Sequence, residues 1–218
     1  MPYNIDMNIV KYLTEIYGYG TPIFLKDIRI GKMSKNAIKM QIFRACKDGD
    51  ISRDGSGVYS IISKNNELGP VSTFEKIVEN KFLYRNNVYP GFEQLFVEGY
   101  YSGQTFLNMI GITNQVPAIL EITTNKTSAK KRYYAALGRV AIIRKARTKI
   151  TYQNYRMLQL LDMFYFLTLD EVKGNKEIIR NYIKRQQLQK CTFYEYIKFY
   201  NDKTLKKLVE GGIIDAFM

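Results

Sequence analysis

An α+β fold is predicted for these 218 residues, divided into a small helix-and-hairpin domain over residues 1–68 and a larger mixed α/β domain over 71–218. Three observations carry the prediction. Hydrophobic residues make up 46% and charged residues 24%, the composition of a chain that buries a core. Segments with helical spacing and β-prone segments follow one another without an internal repeat. The polar stretch Ser63 to Ser72, with Gly69-Pro70 inside it, reads as a boundary.

The first helix is expected over Met7 to Tyr17, where Ile9, Val10, Leu13, Ile16 and Tyr17 recur at helical spacing before the stop Gly18-Tyr19-Gly20-Thr21-Pro22. Phe24 to Ile28 suits a short second helix, and Gly31-Lys32-Met33 a brief turn. A third helix starts at Ser34, a good N-cap residue, and ends at Asp48-Gly49, where glycine can take the left-handed position. Two β-prone stretches, Ile51 to Arg53 and Val58 to Ile62, then surround Asp54-Gly55-Ser56-Gly57 as a hairpin. Three helices and a hairpin in this order are the pattern of a winged helix-turn-helix, whose third helix enters the DNA major groove while the hairpin touches the flanking backbone.

On the third helix, Ile38, Ile42, Ala45 and Cys46 share a core-facing stripe, which makes Cys46 a small buried hydrophobe. The other faces carry Lys35, Asn36, Lys39, Met40, Arg44 and Lys47, with Phe43 on the same outer side. Lysine and arginine reach phosphates and an asparagine amide pairs with adenine, so this face is the expected DNA reader. Arg53 and Ser56 stand where a wing would meet the backbone or minor groove. The alternatives are an ordinary solvated lysine face and an unpartnered hairpin arginine.

In the second domain, Thr73 to Lys81 is a short helix and Asn86 to Pro90 a break. A helix starts near Ser102 with Phe106, Leu107 and Ile110 inward, and Val116 to Thr124 follows as a strand. Arg139 to Thr151 holds two strands, and Asn154 to Leu167 forms a strongly apolar, buried helix. Lys176 to Gln187 and Thr192 to Tyr200 are amphipathic helices, and Lys203 to Val209 closes the chain before Gly211-Gly212.

Lys and Arg number 33 against 20 Asp and Glu, a formal charge of +13 that favours a polyanion or an acidic protein surface. Residues 1–70 hold ten Lys and Arg against seven Asp and Glu, net +3, leaving net +10 for residues 71–218. The densest run holds Lys126, Lys130, Lys131, Arg132, Arg139, Arg144, Lys145, Arg147 and Lys149 without one acid. It is either a patch for DNA backbone, RNA or an acidic protein, or a solvated basic face. Most of the 18 tyrosines are expected to pack against the core rather than stack on bases.

The composition also excludes. Cys46 and Cys191 are the only cysteines and there is no histidine, so no metal site is predicted; two unpaired thiols suit a reducing cytoplasm, and a single disulfide is the alternative that spacing leaves open. Neither a signal peptide nor a membrane span is legible, so a soluble intracellular chain is expected. Lack of histidine removes the usual acid–base residue, and phosphate-cradling and nucleophile-elbow motifs are missing, so a non-enzyme without a cofactor is predicted. The competing predictions are a carboxylate-based nucleic-acid or nucleotide enzyme using Asp162, Asp170 or Glu171, although Asp162 lies in an apolar helix with no visible partner, and an interaction module without DNA affinity that binds an acidic partner through Lys126 to Lys149.

The run SKNAIKMQIFRACKDGDISRDGSGVYSI, followed downstream by GYYSGQTFLNMIGITNQVPAILEITTN, resembles the AbiEi-type antitoxins of type IV toxin–antitoxin systems, which act in abortive infection. Gly99-Tyr100, Ser102-Gly103, Gly111-Ile112-Thr113 and Gln115-Val116-Pro117 carry the likeness, which spans about residues 5–125. It implies a winged helix that binds inverted repeats in its own promoter through Lys35, Asn36, Lys39 and Arg44. It further implies a C-terminal domain that counteracts a nucleotidyltransferase-like toxin. Ala45-Cys46 stand here where the family usually has larger aliphatics.

Overall fold

The computed structural model describes residues 8–63, 72–86 and 95–217. The expected boundary and the break at Asn86 to Pro90 therefore fall largely outside the described residues, as does Met7. The described chain is mixed α+β and divides into two compact units, the first running to Asn80 and including Ala135–Arg139, the second holding the rest.

In the first unit, α1 (Ile9–Tyr17) is capped by Asn8, whose side-chain oxygen accepts the Val10 N–H at 2.9 Å. The strand β1 (Ile23–Phe24) follows, and the helix expected over Phe24 to Ile28 does not form. Its backbone is committed elsewhere: Ile23 and Phe24 pair with Tyr59 and Val58, and Leu25 N–H donates to the Gly57 carbonyl at 3.0 Å. What remains is one turn, closed by Asp27 N–H on the Phe24 carbonyl at 2.8 Å, before Ile28 and Ile30 enter the core. A β-ladder partner thus overrides a helical spacing only five residues long.

The helix α2 (Lys35–Lys47) begins as its sequence predicts, with Ser34 Oγ accepting the Ala37 N–H at 3.2 Å. It stops at Asp48, followed by Gly49 at φ +75°, a conformation that suits glycine. β2 (Ile51–Gly55) and β3 (Val58–Ile61) form the hairpin, and the antiparallel sheet runs β1-β3-β2. Ile9 and Leu13 of α1, Ile38, Ile42 and Ala45 of α2, and Ile23, Ile51 and Ile61 of the sheet make one core with Ile28 and Ile30. Each such aliphatic contributes roughly 1.5–3 kcal/mol on burial. Cys46 is only half-buried, because it lies at the margin of that stripe. The short α3 (Phe74–Val78), capped by Thr73, continues as a π-helical turn, Glu79–Leu83. The tip of a later hairpin completes this unit: Leu137 N–H donates to the Asp54 carbonyl at 3.1 Å, and Arg139 pairs with Glu75 while lying 5.0 Å from the Phe74 ring.

In the second unit, β4 (Tyr84–Asn86) pairs antiparallel with β5 (Leu95–Val97). The larger sheet takes the order β6-β7-β9-β8 from β6 (Gly99–Tyr101), β7 (Leu120–Thr124), β8 (Lys131–Ala136) and β9 (Arg139–Lys145). Pairing is antiparallel between β6 and β7 and parallel between β7 and β9, and α4 (Gly103–Met109) follows β6. The strand expected from Val116 starts only at Leu120. Arg139 to Thr151 gives one strand, not two, because side chains hold the rest as a loop. Asn125 accepts from the Ile150 N–H and donates to its carbonyl, both at 2.9 Å, and Asn154 does the same for Thr151 N–H and Lys149 O at 2.8 and 2.9 Å.

The remaining helices are α5 (Tyr155–Phe166), α6 (Leu169–Gly174), α7 (Lys176–Arg185), α8 (Lys190–Ile197) and α9 (Asp202–Glu210). α5 is the buried axis of this unit: Met157, Leu160, Leu161, Met163 and Phe164 pack with Phe106, Ile179, Ile183, Phe193, Leu208 and Ile213. Among the described residues, no helix is long and apolar enough to cross a membrane.

Candidate nucleic-acid interface

Burial of Ile38, Ile42 and Ala45 fixes how α2 sits, and thereby turns Lys35, Asn36, Lys39, Met40, Phe43, Arg44 and Lys47 to solvent. No residue of α2 is acidic. None of Lys35, Lys39, Arg44, Lys47 or Arg53 enters an ion pair among the described residues. The face consequently presents uncompensated positive charge, which a polyphosphate would neutralise. Arg53 and Ser56 are exposed on the β2–β3 hairpin, and β2 follows α2 after Asp48, Gly49 and Asp50. The sequence-predicted residues of the first unit therefore lie on one helix face and one hairpin of the same small core. Cys46 does not join them, and burial pushes its thiol up, away from nucleophilic use.

No protein-family model and no curated protein matches the chain.

The basic stretch of the second unit is not one free patch. Lys126 is half-buried, ion-paired with Glu98 at 3.3 Å and donating to the Tyr84 carbonyl. Arg144 pairs with Glu121 at 2.7 Å and lies 5.3 Å from the Phe166 ring centre. Arg147 pairs with Asp162 at 3.2 Å, its guanidinium near the rings of Tyr165 and Tyr200 at 5.4 and 5.0 Å. The acids come from β7, α5 and the turn before β6, so a run without acids in sequence is partly neutralised in space. Lys130, Lys131, Arg132 and Lys145 stay exposed, Arg132 with its guanidinium 5.4 Å from the Phe82 ring.

Asp162 has the partners its sequence context hides. Its carboxylate accepts from the Tyr100 hydroxyl at 2.7 Å and the Thr123 hydroxyl at 3.3 Å as well as from Arg147. Burial, and then the nearby Asp162 charge, hold the Tyr100 and Tyr200 hydroxyls well above the ordinary phenol range, so both remain protonated donors. A second buried carboxylate, Glu121, accepts from the Gln104 N–H at 3.3 Å besides holding Arg144. It presses against Gly103, where φ is +54° and a Cβ would come within 2.5 Å of its carboxyl carbon. Glu171, the other carboxylate singled out in sequence, closes a capping box with Thr168 at the start of α6. Hydrogen bonds from the Thr168 backbone and hydroxyl hold its carboxyl below the usual range. Asp170 is an exposed first-turn residue of the same helix. Asp162 and Glu121 are thus engaged by arginines and by hydroxyl or backbone donors, an arrangement that stabilises a fold. Nothing in local spacing signals these pairs, since Arg144 and Glu121 stand 23 residues apart.

Proposed function

We propose that the first unit is a winged helix-turn-helix that binds duplex DNA, and that the chain represses its own promoter as the antitoxin of a type IV toxin–antitoxin system in the cytoplasm. The observation that carries the DNA-binding part is the acid-free, exposed face of α2, with Lys35, Asn36, Lys39, Met40 and Arg44, set opposite a buried apolar stripe. Sheet order supports it: β1-β3-β2, with the hairpin following α2, is the arrangement a winged helix requires, and a single turn stands where its second helix would lie. Arg53 and Ser56 then take the wing. Lys35, Lys39 and Arg44 hold phosphates at the groove edges, and Asn36 faces base edges. The exposed cations Lys130, Lys131, Arg132 and Lys145 add a second, sequence-independent attraction for a polyanion.

The antitoxin part rests on the resemblance of residues 5–125 to AbiEi-type proteins. In it, the second unit counteracts a nucleotidyltransferase-like toxin without itself being an enzyme. A gel shift with duplex DNA taken from immediately upstream of the reading frame tests the first part. Specific retardation by the chain, lost in Lys39→Glu/Arg44→Glu, is the expected result, and equal retardation by that variant refutes the assigned face. Co-expression with a neighbouring nucleotidyltransferase-like reading frame tests the second part. Growth rescue is expected, and toxicity undiminished by the chain refutes it.

A further inference from the structure

A helix face that merely meets water carries polar residues along its centre, whereas α2 sets two large apolar side chains, Met40 and Phe43, there between Asn36 and Lys47. At about 100° per residue, Ala45 lies roughly 180° and Ile38 roughly 200° round from Asn36, whereas Met40 and Phe43 fall within about 40° of it. The line pointing directly away from the core is therefore Asn36, Met40, Phe43 and Lys47, with Lys35 and Lys39 on one flank and Arg44 on the other. Met40 is 53% exposed and Phe43 55% exposed, and neither joins the core of its unit. Lys47 places its ammonium 5.5 Å from the Phe43 ring centre, so even the cation at the end of the line lies against the aromatic.

An apolar centre between cationic flanks has a defined complement. A second copy of this chain is disfavoured, because two such faces would bring like charges together with no acid on α2 to answer them. The DNA major groove fits: phosphates line both edges, and the one apolar group on its floor is the C5 methyl of thymine.

Granting that α2 enters a DNA groove, we infer that Met40 and Phe43 read thymine methyl groups, so that the chain selects A·T-containing duplexes with thymine opposite these two side chains. Met40 and Phe43 are about 4.5 Å apart along the helix axis and Asn36 lies about 6 Å before Met40, separations of between one and two base-pair steps of about 3.4 Å, within the reach of side chains in one groove. Asn36 supplies the bidentate pairing with adenine N6 and N7.

The test begins with selection of duplexes from a randomised pool by the full-length chain, after which the selected duplex is resynthesised with deoxyuridine for thymidine, a change that removes only the methyls. Binding is expected to weaken roughly fourfold for each methyl contacted, the equivalent of one buried methyl or methylene. Met40→Ala and Phe43→Ala, both truncations of exposed side chains, are expected to fold, to keep salt-dependent binding, and to bind the thymidine and deoxyuridine duplexes more nearly alike. A selected duplex whose affinity is unchanged by deoxyuridine, or variants that keep the full preference for thymidine, overturns the inference while DNA binding stands. No enrichment of any duplex and no binding at low salt overturns DNA binding itself, and the inference with it. Variants that dissociate a dimer in sedimentation without altering the thymidine preference would make this face an interface between copies, and likewise overturn it.

Discussion

Replacing Asp162 by alanine removes the acceptor from three donors at once, and the structure sets the size of the loss. Tyr100, 3% exposed, would lose its hydrogen bond to the carboxylate and keep only its neighbour Tyr200 beside a hydroxyl in the core. A buried donor that loses its acceptor costs about 1–3 kcal/mol, and the short 2.7 Å bond to a charged acceptor, which the Tyr200 hydroxyl replaces only in part, puts Tyr100 at about 2 kcal/mol. Thr123 is equally buried, but its 3.3 Å bond is long and contributes at the lower end. The Arg147 side chain is 38% exposed and regains water, so its term is small. The total is about 3 kcal/mol, a large share of the stability of an ordinary domain. Urea unfolding followed by far-UV circular dichroism, on Asp162→Ala, Tyr100→Phe and the double variant, measures it. The double variant should be less destabilised than the sum of the singles by about 1 kcal/mol, because Tyr100→Phe removes the hydroxyl that Asp162→Ala strands. A cost below about 1 kcal/mol for Asp162→Ala, or strict additivity, refutes the assignment of Asp162 as a structural acceptor.

Three further outcomes follow from the same network and its neighbours. Tyr100, Tyr182 and Tyr200 are all held above the ordinary phenol value of 10.0, in each case first by burial, so below that pH they contribute no pH dependence. Above it the unfolded chain ionises while the folded chain must stay protonated, so stability falls as pH rises, by up to about 1.4 kcal/mol per pH unit for each tyrosine. Alkaline titration of the urea midpoint should show that fall, and Tyr100→Phe should make it shallower; a flat midpoint above this range would contradict it. Gly103→Ala should destabilise by roughly 2 kcal/mol or more, since it sets a side chain at φ +54° and drives a Cβ into the Glu121 carboxylate, and a midpoint equal to wild type would show that the close approach is not real. Thr168→Ala breaks the α6 capping box and should cost about 1 kcal/mol, with Glu171 contributing above its unfolded value and losing that contribution as acid protonates it; an unshifted midpoint at neutral pH speaks against the cap.

Some of this architecture is legible residue by residue. Ser34 and Gly49 bracket α2, its apolar stripe faces the core, and α5 is apolar enough that only a buried position suits it. These features rest on short-range chemistry, which spacing records. What fails is decided at long range. Phe24 to Ile28 has helical spacing, yet β3 claims its backbone; Lys131–Ala136, marked in sequence only by its basic charge, is a strand because β9 offers a partner. The second strand expected before Thr151 is displaced by two asparagine side chains that imitate backbone pairing. For the same reason Lys126, Arg139, Arg144 and Arg147 look free in sequence and are ion-paired in the fold. The α2 face escapes this failure, since what turns it outward is its own helix.

The salt dependence of binding to a selected duplex, measured by fluorescence anisotropy for the chain and for Lys39→Ala/Arg44→Ala, tests the central claim most directly. Each phosphate released contributes about 0.9 to the slope of log affinity against log salt, so losing two contacts should reduce the slope by about 1.8 and weaken binding to all sequences alike. An unchanged slope and affinity in the double variant, with the folded spectrum preserved, would show that the exposed face of α2 does not meet DNA.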